Sequence, residues 1–195
     1  MDVEAGEFYA LMGPNGSGKS TLTAIIASVV SFDSGTVEVF GEEPTRAQKS
    51  FGYIPQDNFS IPPLTGRENL IYFAGVLGYS GREDHAMADD LLGKVGLTGD
   101  ADKRAGRYSG GMRKRLELVT ALFPGIRLLT LDEPTTGLDP AARRGFFDLV
   151  TGTVGEGMSI LLITHLGADA VPDSPSTRLQ PSRTCFESRS SNASK

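Results

Sequence analysis

The stretch that decides the fold runs Gly13-Pro14-Asn15-Gly16-Ser17-Gly18-Lys19-Ser20-Thr21. It follows a short apolar segment that predicts a strand over residues 7–12, and it opens a segment with helical periodicity. These flanks, with the fixed glycine, lysine and serine positions, are the context that a phosphate-binding loop requires. The alternative, a glycine-rich turn that only caps a helix, does not explain all the positions together. We therefore predict a P-loop.

The side chains and amides of this loop each suit one part of a bound nucleotide. Gly13, Gly16 and Gly18 allow backbone N–H groups to converge on phosphate oxygens, and the helix N-terminus adds a favourable dipole. Lys19 is expected to reach the β- and γ-phosphates, and Ser20 to bind Mg²⁺. The predicted nucleotide-binding residues of the loop are Gly13, Pro14, Asn15, Gly16, Ser17, Gly18, Lys19, Ser20 and Thr21.

Composition excludes several classes of protein. A chain of 195 residues with 39% hydrophobic residues can bury a sizeable core in one compact domain. Its net charge of −5 leaves no basic surplus for a polynucleotide, so no nucleic-acid partner is expected. No apolar run approaches the roughly 20 residues of a membrane helix, and no secretory signal follows Met1, so a cytoplasmic address is expected.

The order of apolar segments predicts an α/β fold. Strand-like runs at residues 7–12, 127–131 and 159–164 alternate with amphipathic helical segments, as in a mainly parallel sheet covered on both faces. Between them, Thr65 and Ser80 each begin a capping-box pattern, which predicts helices over residues 66–77 and 82–95. We therefore expect a P-loop nucleotide-binding core that is interrupted by a helical subdomain.

Two acids follow the second strand. Asp132 and Glu133 lie where the carboxyl end of a parallel strand faces a nucleotide. Asp132 is placed to bind Mg²⁺, and Glu133 to act as a general base toward an attacking water. An acidic pair alone is more often a loop start or a helix cap, but the P-loop favours the catalytic interpretation.

The segment Tyr108-Ser109-Gly110-Gly111-Met112 resembles the signature motif, usually written LSGGQ, of ATP-binding cassette (ABC) ATPases. It precedes a helical pattern, so Ser109 and the amides of Gly110 and Gly111 lie at a positive helix end that suits a second anion. The resemblance implies a head-to-tail dimer with a second ATPase subunit, in which the signature of one subunit caps ATP held by the other.

Three further residues match motifs of the same family. Gln56 resembles the Q-loop glutamine, which senses Mg²⁺ and water and links to the membrane partner. Asp139 resembles the D-loop aspartate, which contacts the opposite subunit, although it also suits a helix N-cap before Pro140. His165 resembles the switch histidine, which contacts the γ-phosphate and Glu133.

The resemblance implies an ATP-hydrolysing subunit that powers a separate membrane permease from the cytoplasmic face of the cell membrane. The catalytic residues are then Glu133, His165 and Gln56, and the Mg²⁺ ligands Ser20, Gln56 and Asp132. The sequence Tyr-Ser-Gly-Gly-Met-Arg is most similar to ATPases of drug, antibiotic or polysaccharide exporters. The basic triplet at residues 113–115 is expected to form a solvated helix face.

The sequence divides into four expected parts. They are the first part of the ATPase core (1–57), the helical subdomain (58–104), the signature helix with the second part of the core (105–171), and a disordered polar tail (172–195). The family's upstream strands, its adenine-stacking aromatic residue and its downstream strands have no counterpart, so we expect truncation at both ends. The alternatives are a non-catalytic fragment of such an ATPase and, less favoured, a soluble ABC ATPase acting on nucleic acid.

Overall fold

The computed structural model describes residues 2–14, 16–79, 82–153, 157–165 and 177–181. Its strands form one parallel sheet in the order β2-β3-β4-β1-β5. The strands are Phe8–Met12 (β1), Phe51–Ile54 (β2), Leu128–Asp132 (β3), Ser159–Thr164 (β4) and Thr177–Pro181 (β5). The predicted α/β fold is confirmed, and the three predicted strands are present with bounds that shift by at most one residue.

Helices connect these strands. They are Lys19–Ile26 (α1), Pro44–Ala47 (α2), Gly66–Val76 (α3), Arg82–Lys94 (α4), Gly110–Thr120 (α5) and Pro140–Thr153 (α6). Short 3₁₀ turns occur at Gln48–Ser50, Thr98–Asp100 and Ala105–Arg107. The two predicted middle helices each end one residue earlier than expected. Within the described ranges, no helix has the length and apolar character needed to cross a membrane.

The sheet is buried on both faces. On one face, alternate strand residues such as Leu129 and Leu162 pack with Leu118 of α5 and with Phe146 and Phe147 of α6. The other face carries a second apolar cluster, whose buried members are Tyr9, Leu11, Ile26, Val39, Ala47, Leu161 and Ile163. Burial on both sides explains why the strands are almost continuously apolar until their carboxyl ends. Polar groups therefore collect at that edge.

The middle of the chain has its own apolar cluster. Helices α3 and α4 pack against α5 around Leu70, Leu92 and Leu116, all fully buried. Thr65 and Glu68 form the predicted capping box at the start of α3, with both reciprocal hydrogen bonds present. The second capping-box pattern, at Ser80, lies outside the described residues. Helix α5 contributes Leu116 to this cluster and Leu118 to the cluster on the first face of the sheet, so it joins the helical layer to the sheet.

Two strands, β2 and β5, were not predicted from the sequence, and β5 contradicts an expectation. Residues 172–195 were expected to form a disordered tail, yet Thr177–Pro181 pairs in parallel with the whole of β1. Strand pairing satisfies backbone N–H and C=O groups whatever the side chains are, so a search for apolar periodicity does not detect it. The expectation is wrong for these five residues, and the rest of the tail lies outside the described residues.

Substitution of Gly52 tests the close contact between β2 and the end of α5. A Cβ atom at Gly52 would lie 2.3 Å from the carbonyl oxygen of Ala121 and 3.2 Å from Cγ2 of Ile126. We expect Gly52→Ala to lower the free energy of unfolding by about 1–3 kcal/mol, because the backbone must shift. Urea unfolding measures this.

The matched control is Gly75→Ala on α3, where an added Cβ meets no atom within 4 Å. Alanine is the better helix former, so this variant should be at least as stable as the parent chain. Equal stability of the two variants would contradict the expected clash.

Candidate functional site

The loop between β1 and α1 begins at the carboxyl end of β1, between the ends of β4 and β5. The amide of Gly13 donates to the carbonyl oxygen of Thr164 at 3.3 Å, which fixes the start of the loop beside the end of β4. Gly16 and Gly18 adopt backbone φ values of 80° and 87°, which residues with a Cβ atom rarely adopt. Gly18 is the N-cap of α1, so the free amides of the first helical turn point into the loop. Asn15 lies outside the described residues.

Lys19 carries the positive charge of this loop. Its side chain is buried, and Nζ donates hydrogen bonds to the carbonyl oxygens of Gly13 at 2.7 Å and Pro14 at 2.9 Å. The ammonium group is thus held over the loop rather than extended into solvent. With the α1 N-terminus, it gives the loop the electrostatic character of an anion site.

Asp132 ends β3, two strands away from the loop. Its burial raises the pKa of the carboxyl group above the ordinary value, and the neighbouring charge of Glu133 raises it further. A hydrogen bond with Ser20 and the charge of Lys19 act in the opposite direction. Tyr53 also contacts Asp132, and burial raises the pKa of its own hydroxyl.

The surroundings of Asp132 fit a magnesium ion. Its Oδ1 atom is buried and has no hydrogen-bond partner among the described residues. A carboxylate oxygen beside the Ser20 hydroxyl is the kind of partial ligand set that Mg²⁺ completes with phosphate oxygens and water. Within the described ranges, no group of three or more histidine, cysteine or acidic side chains is arranged to hold a metal ion by itself.

Glu133 is held by the end of β4. Its Oε1 atom lies 2.7 Å from Nδ1 of His165, and its Oε2 atom accepts a hydrogen bond from the Thr164 hydroxyl at 3.3 Å. The backbone amide of Glu133 donates to the carbonyl oxygen of Ile163 at 2.9 Å. Its φ of 48° lies in the left-handed region, a strained conformation that occurs often at functional sites. Glutamate and histidine therefore form one hydrogen-bonded unit.

These segments enclose a cleft of about 390 Å³ at the carboxyl edge of the sheet. Its lining consists of Gly16, Gly18, Lys19, Ser20, Thr21, Gln56, Asp132, Glu133, Thr136 and His165. Nearly all of these were singled out from the sequence. Thr136 was missed, as were the contacts from Thr164 and Tyr53, because no local pattern distinguishes a threonine or tyrosine that faces a cleft.

Ser109 and Asp139 lie outside this lining. Ser109 is the N-cap of α5, where its hydroxyl accepts from the amide of Met112 at 3.2 Å, and it is exposed together with Gly110. Asp139 caps α6 by accepting from the amides of Ala141 and Ala142, both at 2.9 Å. The structural alternative for Asp139 is therefore present. The N-terminus of α1 opens into the cleft, whereas Ser109 and Gly110 at the N-terminus of α5 lie outside its lining.

The basic triplet at residues 113–115 does not form a solvated face, so that expectation is wrong. Lys114 is buried 3.3 Å from Glu117, and Nη1 of Arg115 donates to the carbonyl oxygen of Val95 at 3.1 Å. Nε of Arg113 is buried as well. Because α5 runs between the sheet and the other helices, most of its circumference contacts protein.

The P-loop, the acidic pair on β3 and the Ser-Gly-Gly cap of α5 together define a P-loop nucleotide-binding protein of the cassette class. Residues 1–136 match the family described as ABC transporter. The chain belongs to this family.

Two relatives support membership in this family. The chain is 40% identical over 172 residues to Nod factor export ATP-binding protein I of Burkholderia lata, covering 86% of the chain and 57% of that protein. It is also 40% identical to the protein of the same name from Bradyrhizobium diazoefficiens, covering 56% of it. The chain thus spans little more than half the length of these relatives.

A solved structure shares the fold. The dimeric structure of a post-hydrolysis state of the ATP-binding cassette MJ0796, bound to ADP and Pi, matches with a TM-score of 0.75 at 26% identity. The match covers 88% of this chain and 79% of the other. The sheet and helices described above are therefore those of an ABC ATPase domain.

The cap of α6 should depend on pH. The amides of Ala142 and Ala141 hold the pKa of Asp139 below its ordinary value. A lowered folded-state pKa means that the cap stabilises the fold above the unfolded-state value of about 4, and that this contribution is lost as pH falls through the folded-state value. We expect Asp139→Ala to lower the free energy of unfolding at pH 7 but much less at about pH 3.

Urea unfolding at the two pH values measures this difference. Asp148→Ala, an exposed carboxylate later in α6, is the control and should show no comparable loss at pH 7. A loss for Asp139→Ala that is the same at both pH values would contradict a charged cap.

Proposed function

We propose that this chain is the ATP-binding and ATP-hydrolysing subunit of an ABC transporter and that the cleft is its site of hydrolysis. The observation that carries the proposal is the meeting of the Glu133–His165 pair with Lys19, Ser20 and Asp132 in one cavity. A base, a cation and a partial metal site are the components that hydrolysis of a nucleoside triphosphate requires. Family membership identifies the nucleotide as ATP.

In this proposal the loop residues bind the triphosphate. The backbone amides around Gly16 and Gly18 donate to its oxygens, and Lys19 moves its charge from the loop carbonyls to the β- and γ-phosphates. Ser20, Asp132 and Gln56 would hold Mg²⁺, which when bound neutralises phosphate charge. Burial of Asp132 favours a cation there, because a lone buried carboxylate is poorly solvated.

Glu133 then acts on a water molecule. Its carboxylate accepts a proton as the water oxygen bonds to the γ-phosphorus, and the bond from that phosphorus to the bridging oxygen breaks, which releases ADP and inorganic phosphate. His165 orients the base through the 2.7 Å contact with Oε1. Most of the rate enhancement comes from positioning and charge neutralisation.

The proposal includes a head-to-tail dimer. Ser109 and Gly110 are exposed at the start of α5, and neither belongs to the lining of the cleft in the same chain. A second subunit would bring its own Ser109 and helix end to the triphosphate. The dimeric assembly named for the MJ0796 structure supports this arrangement.

A membrane permease is the proposed second partner. An apolar groove of about 310 Å³ lies next to Gln56, between β2 and α3, and residues such as Pro55, Phe59 and Phe73 line it. Val76 and Leu77 at its rim are 67% and 52% exposed. A cytoplasmic loop of the permease would cover these side chains and place the chain on the cytoplasmic face of the membrane. The relatives' name supports export as the direction of transport.

Lys19→Ala tests the nucleotide site. The substitution removes the loop's cation, so we expect affinity for MgATP to fall by at least about tenfold. Equilibrium titration with a fluorescent ATP analogue measures this affinity. The chain has no tryptophan, so tryptophan emission does not interfere. The exposed Lys49→Ala is the matched control. Equal affinities for the two variants would remove this loop from the proposal.

Glu133→Gln tests the base and the dimer together. The amide can hold a water molecule but does not accept its proton, so we expect kcat to fall by about 10²–10⁴ while ATP still binds. MgATP should then stabilise a dimer, which sedimentation detects. The exposed Glu38→Gln should leave turnover unchanged. Full turnover in Glu133→Gln would assign the base elsewhere, and a purely monomeric ATP complex would contradict the two-site dimer.

A further inference from the structure

A buried ion pair on α5 contacts the loop that carries Gln56. Lys114 is 5% exposed and Glu117 is fully buried, one helical turn apart on α5, and Lys114 Nζ lies 3.3 Å from Glu117 Oε2. We call these two side chains the clamp. None of the steps proposed above uses them.

The clamp holds the loop at both of its ends. Nζ of Lys114 donates to the carbonyl oxygen of Gln56 at 3.4 Å. Oε1 of Glu117 accepts from the amide of Ser60 at 3.4 Å and from its hydroxyl at 3.2 Å. Residues 56–60 are therefore bonded to α5 at their first and last positions.

The next segment is fixed separately. The buried side chain of Asn69 accepts from the amide of Ile61 at 2.7 Å and donates to the carbonyl oxygens of Ile61 and Thr65 at 3.1 and 2.8 Å. Residues 61–65 thus have their own anchor on α3, so the clamp acts on the short stretch that contains the cleft residue Gln56.

A buried ion pair is a poor source of stability. The loss of hydration of two charges usually equals or exceeds their mutual attraction, and apolar residues of similar volume often serve the fold as well. Three charge-assisted hydrogen bonds to one loop, by contrast, restrict its position. The arrangement is therefore better explained by orientation of the loop than by stabilisation of the core.

We propose that Lys114 and Glu117 are positioning residues that hold the Gln56–Ser60 loop so that the Gln56 side chain faces the cleft in register with Asp132 and Glu133. This inference rests on the proposed function, because Gln56 matters to turnover only if the cleft hydrolyses ATP. Neither clamp residue belongs to the lining of the cleft, so removal of the clamp should change the rate of turnover more than the binding of ATP.

The decisive variant replaces both charges by apolar side chains, Lys114→Met/Glu117→Leu, which avoids leaving one charge buried alone. We expect kcat to fall by at least about tenfold, while KM for ATP changes by less than about threefold. The melting temperature should stay near that of the parent chain. A second variant, Lys114→Met/Glu117→Gln, restores the hydrogen-bond acceptor for Ser60 and should recover part of kcat. This variant also tests the proposal if the first variant fails to fold.

Two further measurements separate positioning from a general structural role. In a Gln56→Ala background, removal of the clamp should change kcat by less than about twofold, because its effect passes through Gln56. Hydrogen exchange of residues 56–60 should accelerate in the clamp variant, whether or not the protein turns over ATP. The matched control is the exposed pair on α4, Asp90→Leu/Lys94→Met, whose charges lie 2.8 Å apart and which should alter neither measurement.

The outcomes are distinct. An equal loss of kcat with and without Gln56, or unchanged kcat and unchanged exchange in a folded clamp variant, overturns the proposal. If the parent chain binds ATP but does not hydrolyse it, the proposed function fails. The exchange experiment alone then decides whether the clamp orders the loop, and unchanged exchange there also overturns it.

Discussion

Parallel pairing of β1, β4 and β3 is the constraint on which the site depends. In a parallel sheet all strands end at the same edge, and the register places Met12 beside Thr164 and Asp132 beside Ile163. The loop after β1, the two acids at the end of β3 and the histidine after β4 are therefore neighbours although they are far apart in sequence. Two buried faces hold the register, because a slip of one residue would reverse the direction of every apolar side chain.

The electrostatics of the cleft follow from the same burial. Lys19, Asp132 and Glu133 are each less than 10% exposed, so their charges interact in a medium that screens less than water does. Opposite charges compensate one another only partly, as the raised pKa of Asp132 indicates. A site in this condition suits a ligand that brings both a cation and an anion, and a metal complex of a triphosphate is such a ligand.

Most of the fold and of the cleft could be predicted from sequence because local chemistry determines them. The glycine spacing before Lys19, the apolar run that ends at Asp132 and the capping box at Thr65 each express a geometric need of a few adjacent residues. Tertiary contacts could not be predicted in this way. Lys114 looks like a surface lysine until α5 is placed between two layers, and the pairing of β5 with β1 joins segments that are far apart in sequence.

The long separation between β1 and β4 has a consequence for how the chain acquires its structure during synthesis. Phe8 lies beside Ile160, and β5 follows β4 along the chain, so β1 has neither of its neighbouring strands until residues 159–164 and then 177–181 have left the ribosome. Contacts between distant residues form slowly because a large loop must close first. The helical layer around α3 and α4 is built from nearby residues and can form earlier. The nascent chain would thus hold an ordered helical part while its phosphate loop still lacks the neighbouring strand that fixes its start.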